Sequence, residues 1–115
     1  MRSTREMWAY DTTLGASGAN WVGYDVDAAD GHIGKVDEMT TATGRGSLVV
    51  DTGFWIFGKK RLLPAGCVTS VDPQDRRVRV ALTKDQIKQA PDYDELRRDD
   101  ERYFDESTQY YTSQF

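Results

Sequence analysis

The amino-acid sequence predicts an all-β fold, a small barrel of about six short antiparallel strands running from Trp21 to Leu82. Three observations lead there. From Asn20 to Pro91 the chain is a string of short β-prone runs, each closed by a Gly, Pro or Asp turn. The last run alternates cleanly, with Val78, Val80 and Leu82 on one face and Arg77, Arg79 and Ala81 on the other. The string then ends on a single short capped helix, Thr83 to Gln89. With 115 residues there is room for one domain and one core, burying roughly two thirds of the unfolded surface without covalent staples.

Residues 1–19 read as an N-terminal arm. Gly15, Ser17 and Gly18 form a run of small residues, and Trp8 and Tyr10 precede it, which suggests a mobile segment with one aromatic anchor. The domain proper spans residues 20–91. Val22, Tyr24 and Val26 alternate with Gly23 and Asp25, and Ala29-Asp30-Gly31 supplies the turn of a first hairpin. Ile33 and Val36 stand three apart, a step that would put them on opposite faces of a regular strand. Gly34 between them therefore marks a bulge, and a bulge bends a strand as a small barrel requires.

After the loop Thr41 to Gly46, the run Leu48 to Thr52 is apolar on both faces at Val49 and Val50 and belongs in the middle of the sheet. Leu62 and Leu63 precede Pro64, which cannot donate to a ladder and so ends its strand. Cys67, Val68 and Val71 make a further strand, and Asp72-Pro73-Gln74-Asp75 is a type I turn signal. Thr83-Lys84-Asp85-Gln86 is a capping box: the Thr83 hydroxyl accepts from the backbone at Gln86, whose side chain reaches back. Pro91 disfavours the helical conformation at Ala90 and stops the helix.

Residues 92–115 form an acidic, aromatic C-terminal tail. Asp92 to Arg102 can be helical through the pairs Asp94/Arg98 and Arg97/Glu101, each contributing only about 0.2–0.5 kcal/mol. Tyr103, Phe104, Tyr110, Tyr111 and Phe115 are too many large aromatics for a solvated tail, so part of it should dock. The formal charge of −4 is concentrated there: residues 91–115 hold eight Asp/Glu and three Arg, leaving +1 for residues 1–90. A nearly neutral body argues against a nucleic-acid binder that relies on many phosphate contacts. The single Cys67 cannot form an internal disulfide, and Met1 to Glu6 lead into no apolar run of the secretory type, so a cytoplasmic location is expected. The longest apolar stretch, Phe54 to Phe57, is far short of the ~20 residues of a membrane helix, and no membrane association is expected.

The order of these features, Asp30-Gly31, Ile33-Gly34-Lys35-Val36, Leu48-Val49-Val50-Asp51, Leu63-Pro64-Ala65, a closing strand, then Thr83-Lys84-Asp85-Gln86-Ile87, resembles the PRC-barrel family. The likeness covers about residues 20–91, and the Tyr110-Tyr111 pair is similar to one near the C-terminus of small stand-alone bacterial members. The family includes the cytoplasmic domain of the photosynthetic reaction-centre H subunit and the C-terminal half of a ribosome maturation factor, in both of which it is an interaction domain. The resemblance implies a six-stranded antiparallel PRC-type barrel that docks onto protein partners and has no enzymatic role. This chain lacks the membrane helix of the first relative and the N-terminal domain of the second, so neither specific function carries over.

Several motifs invite chemistry. Val49-Val50-Asp51-Thr52-Gly53 has the form of the aspartic-protease turn, and proteases of this size would work as dimers sharing two Asp. That mechanism also needs an apolar-apolar-Gly segment tens of residues downstream, and Ile56-Phe57-Gly58 comes too soon, so Asp51 reads as a solvated or turn-bonding carboxylate. Asp25, Asp27 and Asp30 miss the calcium-loop pattern, because positions five and twelve would be Ala29 and Val36. His32 and Cys67 each occur once, so no zinc cluster or Cys–His pair is supported; Cys67 reads as a small buried hydrophobe and His32 as solvated. No catalytic residue, metal or cofactor is expected.

Lys59-Lys60-Arg61 and Arg76-Arg77-Arg79 read as solvated strand faces and turns, with Lys59, Lys60 and Arg61 the candidates for an RNA contact in an alternative reading. Phe54, Trp55, Ile56 and Phe57 cannot all point into one core, so about half should be exposed or covered by a tail or partner. The expected function is a self-associating adaptor, a dimer that recruits a protein partner through Trp55, Ile56, Phe57, Tyr103, Phe104, Tyr110 and Tyr111. The hairpin and the tail are expected to meet, in one chain or across a two-fold axis.

Overall fold

The computed structural model describes residues 7–16, 18–53, 60–94, 96 and 100–114. Among the described residues seven strands form one sheet: β1 (Asp25–Ala28), β2 (Gly31–Thr40), β3 (Ser47–Asp51), β4 (Lys60–Pro64), β5 (Val68–Asp72), β6 (Arg77–Val80) and β7 (Asp92–Tyr93). The helices are α1 (Lys84–Lys88) and α2 (Glu101–Thr112). The strand order is β5-β6-β1-β2-β3-β4-β7, and every pair is antiparallel except β1 with β6.

This corrects the sequence expectation in three respects. The sheet is mixed, because the β5–β6 hairpin returns with β6 beside the first strand and running the same way. A seventh strand follows Pro91, where the charges suggest helix, because Asp92 is held by Arg61 of the neighbouring strand and Lys60 and Arg61 pair with Tyr93 and Asp92. Among the described residues the sheet also stays open, ending on β5 and β7. It is nevertheless strongly curled. β4 and β5 lie five positions apart in the strand order, which would separate them by roughly 24 Å in a flat sheet at about 4.8 Å per strand. The three-residue turn Ala65–Cys67 that joins them spans less than about 14 Å even if fully extended.

The curl comes from the bulges. Opposite Val26 and Asp27 of β1 stand Gly34 and His32, so Ile33 is the extra residue, and both Ile33 and Val36 are buried as their spacing requires. A second irregularity lies between Val36 and Glu38, against β3. Gly34 cannot carry a side chain, since a Cβ there would lie 2.0 Å from the carbonyl oxygen of Asp51 on β3. β3 is central and apolar on both faces: Leu48 and Val50 enter the main core with Val26, Leu63, Val78 and Ile87, while Val49 enters a smaller cluster with Tyr93 and Tyr103.

Helix α1 has the predicted capping box, with Thr83 Oγ1 accepting from the Gln86 amide at 3.2 Å and Gln86 Oε1 from the Thr83 amide at 2.8 Å. Asp30, in the β1–β2 turn, accepts from the Lys84 amide at 2.8 Å and ties the helix start to the sheet. The other end is held by Arg61, which is 3 % exposed. Its guanidinium donates to the carbonyls of Ile87 at 3.0 Å and Lys88 at 2.9 Å and to Asp92 at 2.6 Å. A forked cation against the last carbonyls of a helix satisfies groups that have no intrahelical partner and opposes the negative end of the dipole. The N-terminal segment is likewise built in: Met7 and Trp8 are each 1 % exposed and belong to the main core, where the sequence suggests a mobile arm with one anchor.

Candidate interaction surface

The tail supplies α2. Its N-terminus is capped by Asp100, which accepts from the Arg102 amide at 2.9 Å, and Glu101 in the first turn suits the positive end of the dipole. Tyr103, Ser107 and Tyr111, four residues apart, form one buried stripe. Trp8 receives the helix: its ring lies 4.7 Å from that of Phe104, and its Nε1 donates to Thr108 Oγ1 at 3.1 Å. The Tyr111 hydroxyl donates to the Leu62 carbonyl at 2.6 Å, on β4 just past the two residues that β7 pairs. Tyr103 meets Tyr93 edge-on, with ring centres 6.0 Å apart. Tyr110 donates to the carbonyl of Gln86, and the Gln86 side chain donates to Gln114 at 3.1 Å, so the tail also touches α1.

The phenols in and beside this contact are held as neutral donors. Burial pushes Tyr111 well above its ordinary range, with the nearby Cys67 adding to the effect. Burial, then the charge of Asp85, raises Tyr110. Burial raises Tyr10, whose hydroxyl sits between the carbonyls of Thr40 at 3.0 Å and Ser47 at 2.9 Å.

Of the residues the sequence nominates for partner binding, Trp55, Ile56 and Phe57 lie outside the described residues, as does Lys59. They belong to the connection between the antiparallel strands β3 and β4, whose facing ends are Asp51 and Lys60. Tyr103 and Tyr111 are buried within the chain, and Phe104 and Tyr110 are partly exposed. Whether the hairpin meets the tail therefore lies outside the described residues. The two described members of the basic cluster are engaged: Lys60 contacts Asp37 at 2.9 Å, and Arg61 is buried rather than on a solvated face.

The candidate catalytic and metal residues have structural contacts. Asp51 is exposed and accepts from the Gly53 amide at 2.9 Å, closing its own turn. Arg77 grips both oxygens of Asp27, at 2.9 and 2.8 Å, across the parallel β1–β6 pair; this bond, with the charge of Asp27, raises the Arg77 pKa. Asp25 contacts Lys35 at 3.4 Å, and His32, largely exposed, lies 3.3 Å from Asp27. Cys67 is fully buried. Among the described residues no three metal-ligating side chains come together, and no helix is long and apolar enough to cross a membrane.

Sequence reasoning missed the Arg61 clamp and the tail helix. Arg61 follows two lysines and looks like part of a basic surface; only its place between Lys60 and Leu62 in a strand of alternating burial could have shown it pointing inward. Compared with known protein-family models and with curated proteins, the chain matches none.

Proposed function

We propose that this chain is a non-catalytic interaction module of PRC-barrel type, acting in the cytoplasm, self-associating as a dimer and recruiting a protein partner. The observation that carries this reading is how its large aromatic and charged side chains are divided. Charged groups that could do chemistry tie elements together: Asp27 with Arg77, Asp37 with Lys60, Asp92 with Arg61, and Asp51 with its own turn. The tail aromatics Tyr103 and Tyr111 are used inside the chain. The partner surface we assign is the connection carrying Trp55, Ile56 and Phe57, with the partly exposed Phe104 and Tyr110 of the tail as secondary contacts. The curled sheet, the central bulge at Ile33 and the capped α1 after β6 support the PRC-barrel assignment.

The test is affinity capture from the native cell using the wild type, a Trp55→Ser/Phe57→Ser double variant, and a chain truncated after Asp94. A stoichiometric partner kept by the truncation and lost by the double variant supports this assignment. Salt-sensitive retention of RNA by the wild type, lost on Lys59→Ala/Lys60→Ala, would favour an RNA-associated assembly factor instead. Pepstatin-sensitive peptidase activity lost in Asp51→Asn would reinstate a dimeric protease.

A further inference from the structure

Helix α2 lies in a groove whose parts belong to other elements of the chain. Val49 of β3, Leu62 of β4 and Tyr93 of β7 pack against Tyr103, and Trp8 of the N-terminal segment packs against Phe104. Two polar groups mark its ends. β7 pairs only with Lys60 and Arg61, so the next carbonyl of β4, that of Leu62, is left to the Tyr111 hydroxyl at 2.6 Å. Near the helix start, Arg45 of the β2–β3 loop lies 2.6 Å from Glu101.

The resident helix fills this groove with a defect at its middle. Only Tyr103, Ser107 and Tyr111 of its twelve residues are buried, and the Ser107 hydroxyl has no hydrogen-bond partner among the described residues. A buried hydroxyl without a partner loses its hydration for nothing, and serine is a poorer helix former than alanine. A twelve-residue helix is also marginal by itself, so α2 depends on these few contacts. The Arg45–Glu101 pair is largely exposed and screened by water, so it selects the sign of charge at the helix start more than it adds strength. A groove that seats one helix by aromatic anchors, a carbonyl and a cation seats any helix that repeats the pattern.

We propose that this groove is a docking site for an amphipathic helix of a partner protein, and that α2 is the weaker resident which that helix displaces. The seat of α2 gives the partner's chemistry. It carries an acidic residue in its first turn for Arg45, an aromatic residue two positions later against Val49 and Tyr93, alanine where α2 has Ser107, and a tyrosine four positions further to reach the Leu62 carbonyl. This goes beyond the adaptor reading and does not depend on the connection carrying Trp55 and Phe57.

The probe is a fluorescein-labelled peptide with the sequence of residues 100–114 and the change Ser107→Ala, titrated into the full chain by fluorescence anisotropy with a scrambled peptide as control. The full chain is used as wild type and as Tyr111→Ala and Ser107→Asp, either of which unseats the resident without altering the groove, and circular dichroism shows that the sheet is retained. Binding to the wild type should be about tenfold weaker than to the two variants, because the resident leaves only a fraction of the grooves open. The same peptide with Ser107 restored should bind the variants about fivefold more weakly than the probe. Arg45→Glu added to Ser107→Asp should weaken the probe about fivefold, and a probe carrying Glu101→Arg should recover the loss, which a general structural effect of Arg45 would not allow. No saturable binding to either variant, equal binding of the scrambled peptide, or equal affinity for the wild type and both variants overturns the proposal. A wild-type dimer that the probe dissociates assigns the groove to α2 of a second copy and overturns it as well.

Discussion

The two helices are attached to the same sheet in opposite ways. α1 has five residues, too few to be stable alone, and is fixed through its backbone ends: the capping box and Asp30 take its first amides, and the buried Arg61 takes its last carbonyls. α2 has twelve residues and one side-chain cap, and is fixed mainly through side chains, by Trp8, Tyr111 and Tyr103. Its buried stripe also contains Ser107, 1 % exposed and with no hydrogen-bond partner for its hydroxyl. Attachment by satisfied backbone groups makes α1 part of the domain, whereas attachment by a few aromatic anchors around an unsatisfied hydroxyl makes α2 a clasp that opens at lower free energy.

The largest expected effect lies at α1. Arg61→Met should cost about 3 kcal/mol in chemical denaturation, because the Ile87 and Lys88 carbonyls both lose a charged donor, Ile87 keeping only backbone amides, among them that of Ala90 at 3.2 Å. Asp92→Asn should cost much less, since Asp92 is half exposed and water replaces the ion pair. If Asp92→Asn proves as damaging as Arg61→Met, the ion pair rather than the carbonyl clamp fixes α1.

Next comes the clasp. Tyr111→Phe should cost about 1.5 kcal/mol at neutral pH through the lost bond to Leu62. The same variant sharpens the comparison at high pH. The unfolded chain releases the Tyr111 proton near pH 10, while the buried phenol keeps it, so this contribution is complete below about pH 10 and falls as pH rises beyond it. Urea midpoints measured from pH 9 to 11 should therefore fall less steeply in Tyr111→Phe than in the wild type. An unchanged slope would show the phenol to be reached by water.

Two smaller effects of opposite sign complete the comparison. Ser107→Ala should stabilise the chain by about 1 kcal/mol, relieving an unsatisfied hydroxyl and improving helix propensity. Hydrogen exchange should slow in α2 alone. Thr83→Ala should destabilise by about 1 kcal/mol and quicken exchange in α1. If each change altered exchange in both helices equally, the two would open as one unit.

The same contrast explains what the sequence discloses. α1 is legible because a capping box is local chemistry, contained in Thr83 to Gln86. The bulge at Ile33 is legible because two core residues at an odd spacing leave no regular strand that buries both. The tail shows an excess of aromatics, but its helix has a narrow stripe with a serine in the middle, so no strong helical period stands out between Tyr103 and Tyr111. The ion-pair spacing suggests helix at residues 92–102, but Asp92 and Tyr93 are drawn into the sheet by β4, Glu101 and Arg102 open α2, and residues 95 and 97–99 lie outside the described residues. Arg61 and the β1–β6 pairing depend on contacts between distant parts of the chain, to which local pattern gives no access.

The central claim, that the connection carrying Trp55 and Phe57 makes an interface while the tail is held by its own chain, is tested most directly by sedimentation equilibrium on three chains. These are the wild type, Trp55→Ser/Phe57→Ser, and the truncation after Asp94. A concentration-dependent dimer is expected for the wild type and the truncated chain, and a monomer for the double variant. A dimer that survives the double variant and is lost with the tail would contradict it.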